Sequence, residues 1–329
     1  MNNEIPHVEE ANVDPQKPQE SPQPKLSFLW GGEFPSVIDL LAILGIFLLS
    51  QIAALAITYL LGFGFDWSTY ESADPLVRVA AQDQAGKFSL VSYCATMSLT
   101  IVGALILRRL RGGKAPIAKF SAVGFNPSIL LWGIILLLSI SVVMDPLMRY
   151  LPSPPPIYGR GWSMVLTLVV IAPFAEEFLC RGLVLEAVRA KRGAWVACIV
   201  SALFFGVLHM HPTVAINAVI IGIVLGYIYI RTNSLFAPIM LHAFNNALAF
   251  LLVWLGYENL TLWEMVGNKT IYAIIYGVGL VMLIGSFIQI IRQLSLLRLQ
   301  AEQNEALKES ANDTQNEAQS DEEIANKEK

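Results

Sequence analysis

From Ser36 to Ile291 the chain holds only 26 charged residues in 256 positions, about one in ten, and they fall between long apolar runs. Roughly 20 helical residues cross a hydrocarbon core of about 30 Å. Inside that core every backbone N–H and C=O must find its partner within the protein, which favours helices over irregular chain. Eight runs reach or approach this length, at residues 37–62, 88–107, 128–148, 162–186, 194–211, 213–230, 235–255 and 271–291. The spacing predicts an all-α polytopic membrane protein with about eight transmembrane helices. The fifth and sixth runs are short and joined only through His209–Pro212, so they should form a tight antiparallel hairpin.

Composition bounds the function class. The chain is 55% hydrophobic and 15% charged, with a mean hydropathy of +0.55. A soluble domain averages about 25% charged residues. Residues 1–35 carry six acids and two bases, and residues 292–329 nine acids and five bases. The tails therefore sum to −8 and the middle to +4. No basic face exists to neutralise phosphates, which excludes a nucleic-acid partner. Cys94, Cys180 and Cys198 all lie in apolar runs and form no disulfide framework.

The expected organisation is a disordered tail over 1–35, N-terminal spans over 36–160, a catalytic core over 161–255, a last span within 256–298 and an acidic disordered tail over 299–329. The first tail is rich in Pro, Glu, Gln and Asn and buries too little apolar surface to fold alone. Basic residues orient the chain. With the N-terminus inside, the inner segments hold 16 lysines and arginines and the outer ones five. This predicts a multi-pass protein of the cell membrane with both termini cytoplasmic and membrane lipid around it.

Polar residues inside the spans are the functional signal, because each costs roughly 2.5–3.5 kcal/mol to insert. The fourth run contains Glu176, Glu177 and Arg181, the fifth ends on Phe205 and His209, and the seventh contains His242, Asn245 and Asn246. Glu177 and Arg181 are four apart and share a helical face, so they can pair. Glu176 is rotated about 100° from Glu177 and addresses another neighbour. Phe205 and His209 point one way, as do His242 and Asn246. Pro173 precedes Glu176 by one turn; it frees a backbone carbonyl and helps open a polar intramembrane cavity. At ~1.5 Å per residue, Glu176, His209, His242 and Asn246 all fall about 15–25 Å into the membrane. Three helices thus deliver a carboxylate, two imidazoles and an amide to similar depth.

That set suits peptide hydrolysis. A carboxylate in a low-dielectric cavity is a good base, so Glu176 with His209 beside it can activate water. His242 and Asn246 can donate hydrogen bonds to the tetrahedral oxyanion. No HExxH, Gly-x-Ser-Gly or Gly-x-Ser-x-Gly motif occurs, nor paired Gly-Asp motifs. Glu176, His209 and His242 could alternatively form an open zinc site.

The three patterns Glu176-Glu177-x-x-x-Arg181, Phe205-x-x-x-His209 and His242-x-x-x-Asn246 resemble the motifs of the CPBP family. That family groups CAAX prenyl endopeptidases of the Rce1 type with bacterial Abi and bacteriocin-immunity or lysostaphin-resistance proteins. The resemblance covers about residues 162–250. It implies an intramembrane endopeptidase acting on a membrane-associated peptide or protein substrate, prenylated or secreted. By position it implies that Glu176 and His209 activate water, that His242 and Asn246 stabilise the oxyanion, and that Glu177 and Arg181 support the site. Members are described both as metalloproteases and as glutamate-dependent proteases. Two other functions fit the same residues: a non-proteolytic scaffold or immunity protein of this family, and a proton-coupled transporter using Glu176 and His209 as a relay.

Overall fold

The structure, a computed structural model, describes residues 32, 34–64, 66–70, 72, 74–118, 120, 126–153, 159–257 and 260–327. Residues 1–31 and 33 of the expected N-terminal tail and residues 328–329 of the expected C-terminal tail lie outside this set. Among the described residues every regular element is helical. They are α1 (Val37–Leu60), α2 (Trp67–Tyr70), α3 (Pro75–Leu110), α4 (Pro127–Met148), α5 (Gly161–Val165) and a π-helix, π1 (Leu166–Ile171). Then follow α6 (Ala172–Glu177), a second π-helix, π2 (Phe178–Leu185), α7 (Glu186–Leu208), α8 (Pro212–Thr232), α9 (Phe236–Trp254), α10 (Leu262–Val266) and α11 (Lys269–Lys327).

Local chemistry sets several boundaries. Ser36 caps α1 reciprocally with Asp39, the side chain of each bonding the backbone N–H of the other. Asp74 caps α3 through the Leu76 N–H at 2.9 Å, with Pro75 at the first helical position. This cap lets α3 begin well before residue 88, where the apolar run starts.

Seven helices among the described residues are long and apolar enough to cross a membrane, and the protein is an integral membrane protein. Eight apolar runs become seven helices because residues Gly161–Leu208 form one 48-residue run. At 1.5 Å per residue that run measures about 72 Å, more than twice the hydrocarbon core. Gly193 breaks it with φ 80° and ψ 171°, a backbone state that glycine adopts without strain. The limbs on either side are the fourth and fifth runs. The hairpin is as the sequence predicts: α7 ends at Leu208 and α8 starts at Pro212. A Cβ on Gly206 would lie 2.9 Å from the Ala215 carbonyl oxygen, so glycine permits the close approach of α7 to α8.

One expectation changes. The acidic segment from 299, expected to lack regular structure, continues α11 as helix to Lys327. Its Ala, Glu, Gln, Leu and Lys residues are strong helix formers, and a helix there needs no core.

Two apolar clusters frame the centre. In one, Ile43 and Phe47 of α1 and Met97 of α3 pack with Leu179, Val184, Phe204 and Phe205. In the other, Leu136 and Leu137 of α4 pack with Leu225 of α8, Leu241 of α9 and Ile290 of α11. The best 18-residue window of Gly161–Leu208 is 50% buried, against 17–22% for those of α1, α3 and α11. The run that carries Glu176 and His209 is therefore the central element. Exposed apolar side chains such as Leu49, Ile52, Val281 and Ile284 lie on the peripheral helices, where a bilayer would cover them.

Candidate active site

The backbone around the two glutamates is unusual before any side chain is considered. The six-residue α6, which ends on Glu176 and Glu177, lies between two π-helices. Such widened turns are rare and frequently occur at functional sites. Pro173 explains part of the arrangement. In π register the acceptor five residues before Pro173 is the Leu168 carbonyl, and proline has no N–H to give it. The Ala172 N–H goes to Thr167 instead. Asn246 fills the gap, donating its Nδ2 to the Leu168 oxygen at 3.0 Å. Asn246 thus has a backbone-capping task that the motif did not reveal, and one N–H remains for other work. In π2, likewise, the Cys180 carbonyl accepts from Ser201 Oγ at 2.8 Å and the Gly182 carbonyl from the Ala118 N–H at 3.2 Å.

Glu177 and Arg181 pair as the spacing predicts. Arg181 Nη1 donates to Glu177 Oε1 at 2.8 Å, and both side chains are fully buried. Arg181 Nη2 donates to the Gly222 carbonyl on α8 at 2.9 Å, and its guanidinium carbon lies 4.9 Å from the centre of the Phe205 ring. The ion pair therefore ties π2 to α7 and α8. The Glu177 oxygen also faces His242 Nδ1 at 2.9 Å. A carboxylate only accepts, so Nδ1 carries the hydrogen, and Glu177 fixes the tautomer and orientation of His242.

Glu176 points elsewhere, as its rotation predicts. Its Oε1 accepts from the Tyr93 hydroxyl at 2.6 Å, and its Oε2 lies 3.6 Å from His242 Nε2. Its side chain is 15% exposed against 0% for Glu177, so Glu176 is the carboxylate a substrate can reach. The Phe205 ring is the hub of the remaining pieces. It meets His209 edge-on at 4.8 Å between centres and His242 edge-on at 5.4 Å. His209 Nδ1 lies 2.8 Å from the Phe205 carbonyl oxygen, so Nδ1 is the donor and Nε2 keeps its lone pair in the neutral ring.

The structure therefore brings Glu176, Glu177, Arg181, Phe205, His209 and His242 into one connected cluster, with Asn246 on the same helix as His242. Tyr93 joins it from α3, and no motif announces that residue. Among the described residues no group of three His, Cys, Asp or Glu side chains is spaced to hold a metal ion, so the alternative zinc site of Glu176, His209 and His242 is not preformed. Glu177 and the Phe205 carbonyl engage the Nδ1 atoms of the two histidines and so orient both rings.

Beside the cluster lies an apolar groove of about 640 Å³. Cys94, Met97 and Ser98 of α3, Phe174 and Ala175 of α6, and Met240 of α9 are among its walls. Phe120 stacks on Phe174 with ring centres 4.8 Å apart and planes 4° from parallel.

The protein is an all-helical polytopic membrane protein with an acid–imidazole cluster between its spans. Comparison with known proteins narrows this. Residues 159–248 match the Rce1-like model, described as type II CAAX prenyl endopeptidase Rce1-like. The chain is 28% identical over 218 residues to CAAX prenyl protease 2 of Rattus norvegicus, an alignment covering 60% of this chain and 68% of the relative. It is 26% identical over 213 residues to CAAX prenyl protease 2 of Homo sapiens, covering 53% of this chain and 64% of the relative. The chain thus spans about two thirds of the length of these relatives. No solved structure matches it. Residues 159–248, which carry every motif residue above, are thus similar to the Rce1-like CAAX prenyl endopeptidases.

Proposed function

We propose that this protein is an intramembrane endopeptidase that uses Glu176 to activate water against a peptide bond of a lipid-modified, membrane-associated substrate. One observation carries the reading: the partly exposed carboxylate of Glu176 faces His242 Nε2 at 3.6 Å, and the sequence neighbours of these two residues, Ala175 and Ala243, line an apolar groove. The names of the related proteins favour a prenylated substrate, and the groove offers apolar walls to such a chain. We place both termini in the cytoplasm on the 16-to-5 distribution of basic residues.

In this mechanism water sits between Glu176 Oε2 and His209 Nε2. Glu176 takes one proton as the water oxygen bonds to the carbonyl carbon. The developing oxyanion accepts from the free Asn246 N–H and from His242 Nε2–H. That last donor requires the imidazolium form of His242, because Nδ1 already donates to Glu177. The tetrahedral intermediate then collapses, the C–N bond breaks, and the Glu176 proton passes to the leaving amine. Glu177 and Arg181 touch no reacting atom; they hold His242 and Phe205 in place.

The test is hydrolysis of a quenched farnesylated CAAX peptide by the purified protein in lipid nanodiscs. The proposal expects cleavage by wild type and loss of at least about 100-fold in Glu176→Gln, the range for removing a general base. Equal cleavage by the two proteins contradicts it.

A further inference from the structure

Tyr93 lies on α3, well before the matched segment of residues 159–248. Its hydroxyl gives Glu176 Oε1 a 2.6 Å hydrogen bond, a short charge-assisted contact when the carboxylate is ionised. The two oxygens of Glu176 are thereby made unequal. Oε1 is held from α3, while Oε2 lies 3.6 Å from His242 Nε2 on α9. Among the described residues no other side chain reaches the carboxylate: Glu177 is turned to Arg181 and His242.

This anchor matters because Glu176 stands where the backbone passes from α6 into π2, and apart from Tyr93 its flexible side chain meets, among the described residues, only His242 Nε2, at 3.6 Å, whereas Glu177 is held by Arg181 at 2.8 Å and His242 at 2.9 Å. Left to rotate, the carboxylate would spend part of its time away from the reacting centre, and catalysis depends steeply on orientation. The location of Tyr93 adds a second consequence. Its sequence neighbour Cys94 and Met97, one turn on, line the apolar groove. One helix therefore both forms a wall of the groove and holds the base, so a chain seated along α3 is registered against Glu176.

We infer that Tyr93 is a positioning residue, which holds Oε1 of Glu176 and leaves Oε2 as the oxygen that takes the proton from water. The inference deepens the endopeptidase reading and rests on it for its kinetic consequence.

The experiment has two arms. In the first, wild type and Tyr93→Phe are compared in nanodiscs on the quenched farnesylated peptide. Tyr93→Phe keeps the ring and its packing but loses the donor. We expect kcat to fall about 10- to 100-fold, the size of one lost charge-assisted hydrogen bond, with KM unchanged within about twofold. The melting temperature should stay at the wild-type value. Unchanged kcat overturns the inference. So does a rise in KM alone, which would make Tyr93 a substrate contact. A lower melting temperature with intact kcat per folded molecule would leave it a structural residue and equally overturn the inference.

The second arm needs no substrate. Difference infrared spectra, wild type minus Tyr93→Phe, isolate the phenol C–O stretch of this tyrosine. The band should shift when the same difference is taken in a Glu176→Leu background. A band that does not shift shows that the bond is absent and overturns the inference. If wild type cleaves no peptide while the band shifts, the endopeptidase reading falls and the anchor stands. If wild type cleaves and Tyr93→Phe matches it, the anchor falls alone.

Discussion

The buried ion pair gives the sharpest energetic prediction. Arg181→Met keeps an unbranched apolar stem but removes three interactions together: the 2.8 Å bond to Glu177, the 2.9 Å bond to the Gly222 carbonyl and the contact with the Phe205 ring. Removing one partner of a buried pair costs about 3–5 kcal/mol, mostly because the other charge stays buried and uncompensated. Orphaning Gly222 and losing a desolvated cation–π contact push toward the top of that range, while His242 tempers it by keeping its 2.9 Å contact with Glu177. We expect about 4 kcal/mol. The double variant Glu177→Gln with Arg181→Met removes both charges and keeps an acceptor for His242. It should be more stable than the sum of the single losses predicts, by about 2 kcal/mol. Reversible unfolding in mixed micelles, followed by tryptophan fluorescence, measures all four corners of the cycle. A loss below about 1 kcal/mol for Arg181→Met, or strict additivity in the cycle, would refute the claim that this pair anchors the core.

Other predictions follow from the same geometry. Asn246→Leu leaves the Leu168 carbonyl without its donor and should cost about 1 kcal/mol in micelle unfolding. Adding Pro173→Ala supplies a backbone N–H to that carbonyl and should recover stability without recovering activity, because the amide for the oxyanion is still missing. Ser98→Trp places a large ring in the apolar groove from an exposed position on α3. In the farnesylated-peptide assay it should raise KM about tenfold, equivalent to about 1.4 kcal/mol of lost binding, with kcat little changed.

Much of the architecture is legible in the sequence because a bilayer makes hydropathy decisive. The eight apolar runs correspond to the helical limbs, and the hairpin at His209–Pro212 stands where the short spacing puts it. The count differs at Gly193 because a glycine break inside continuous apolar chain carries no length signal. The pairing of Glu177 with Arg181, the separate direction of Glu176 and the shared face of Phe205 and His209 follow from helical spacing alone. What stays hidden depends on long-range packing. Tyr93 meets Glu176 across 83 residues, and nothing near either residue encodes that meeting. The π-helices also escape, since widening a turn changes register without changing composition. Only Pro173 hints at them, by removing the donor that Leu168 would need. Asn246 therefore reads as a catalytic amide from its spacing to His242, while its bond to Leu168 becomes visible only once π1 is in place. The acidic C-terminal segment is misread for a different reason: lack of a core argues for disorder, but its intrinsic helix propensity extends α11.

The central claim is that Glu176 performs peptide-bond hydrolysis in the membrane. Its most direct test compares the N- and C-termini of membrane proteins in cells expressing wild type or Glu176→Gln at matched, verified levels. The account predicts new termini with wild type that are absent with the variant, identifying substrate and cleavage site together. Identical terminal profiles, with both proteins folded and inserted to the same extent, would contradict it and leave Glu176 a structural residue.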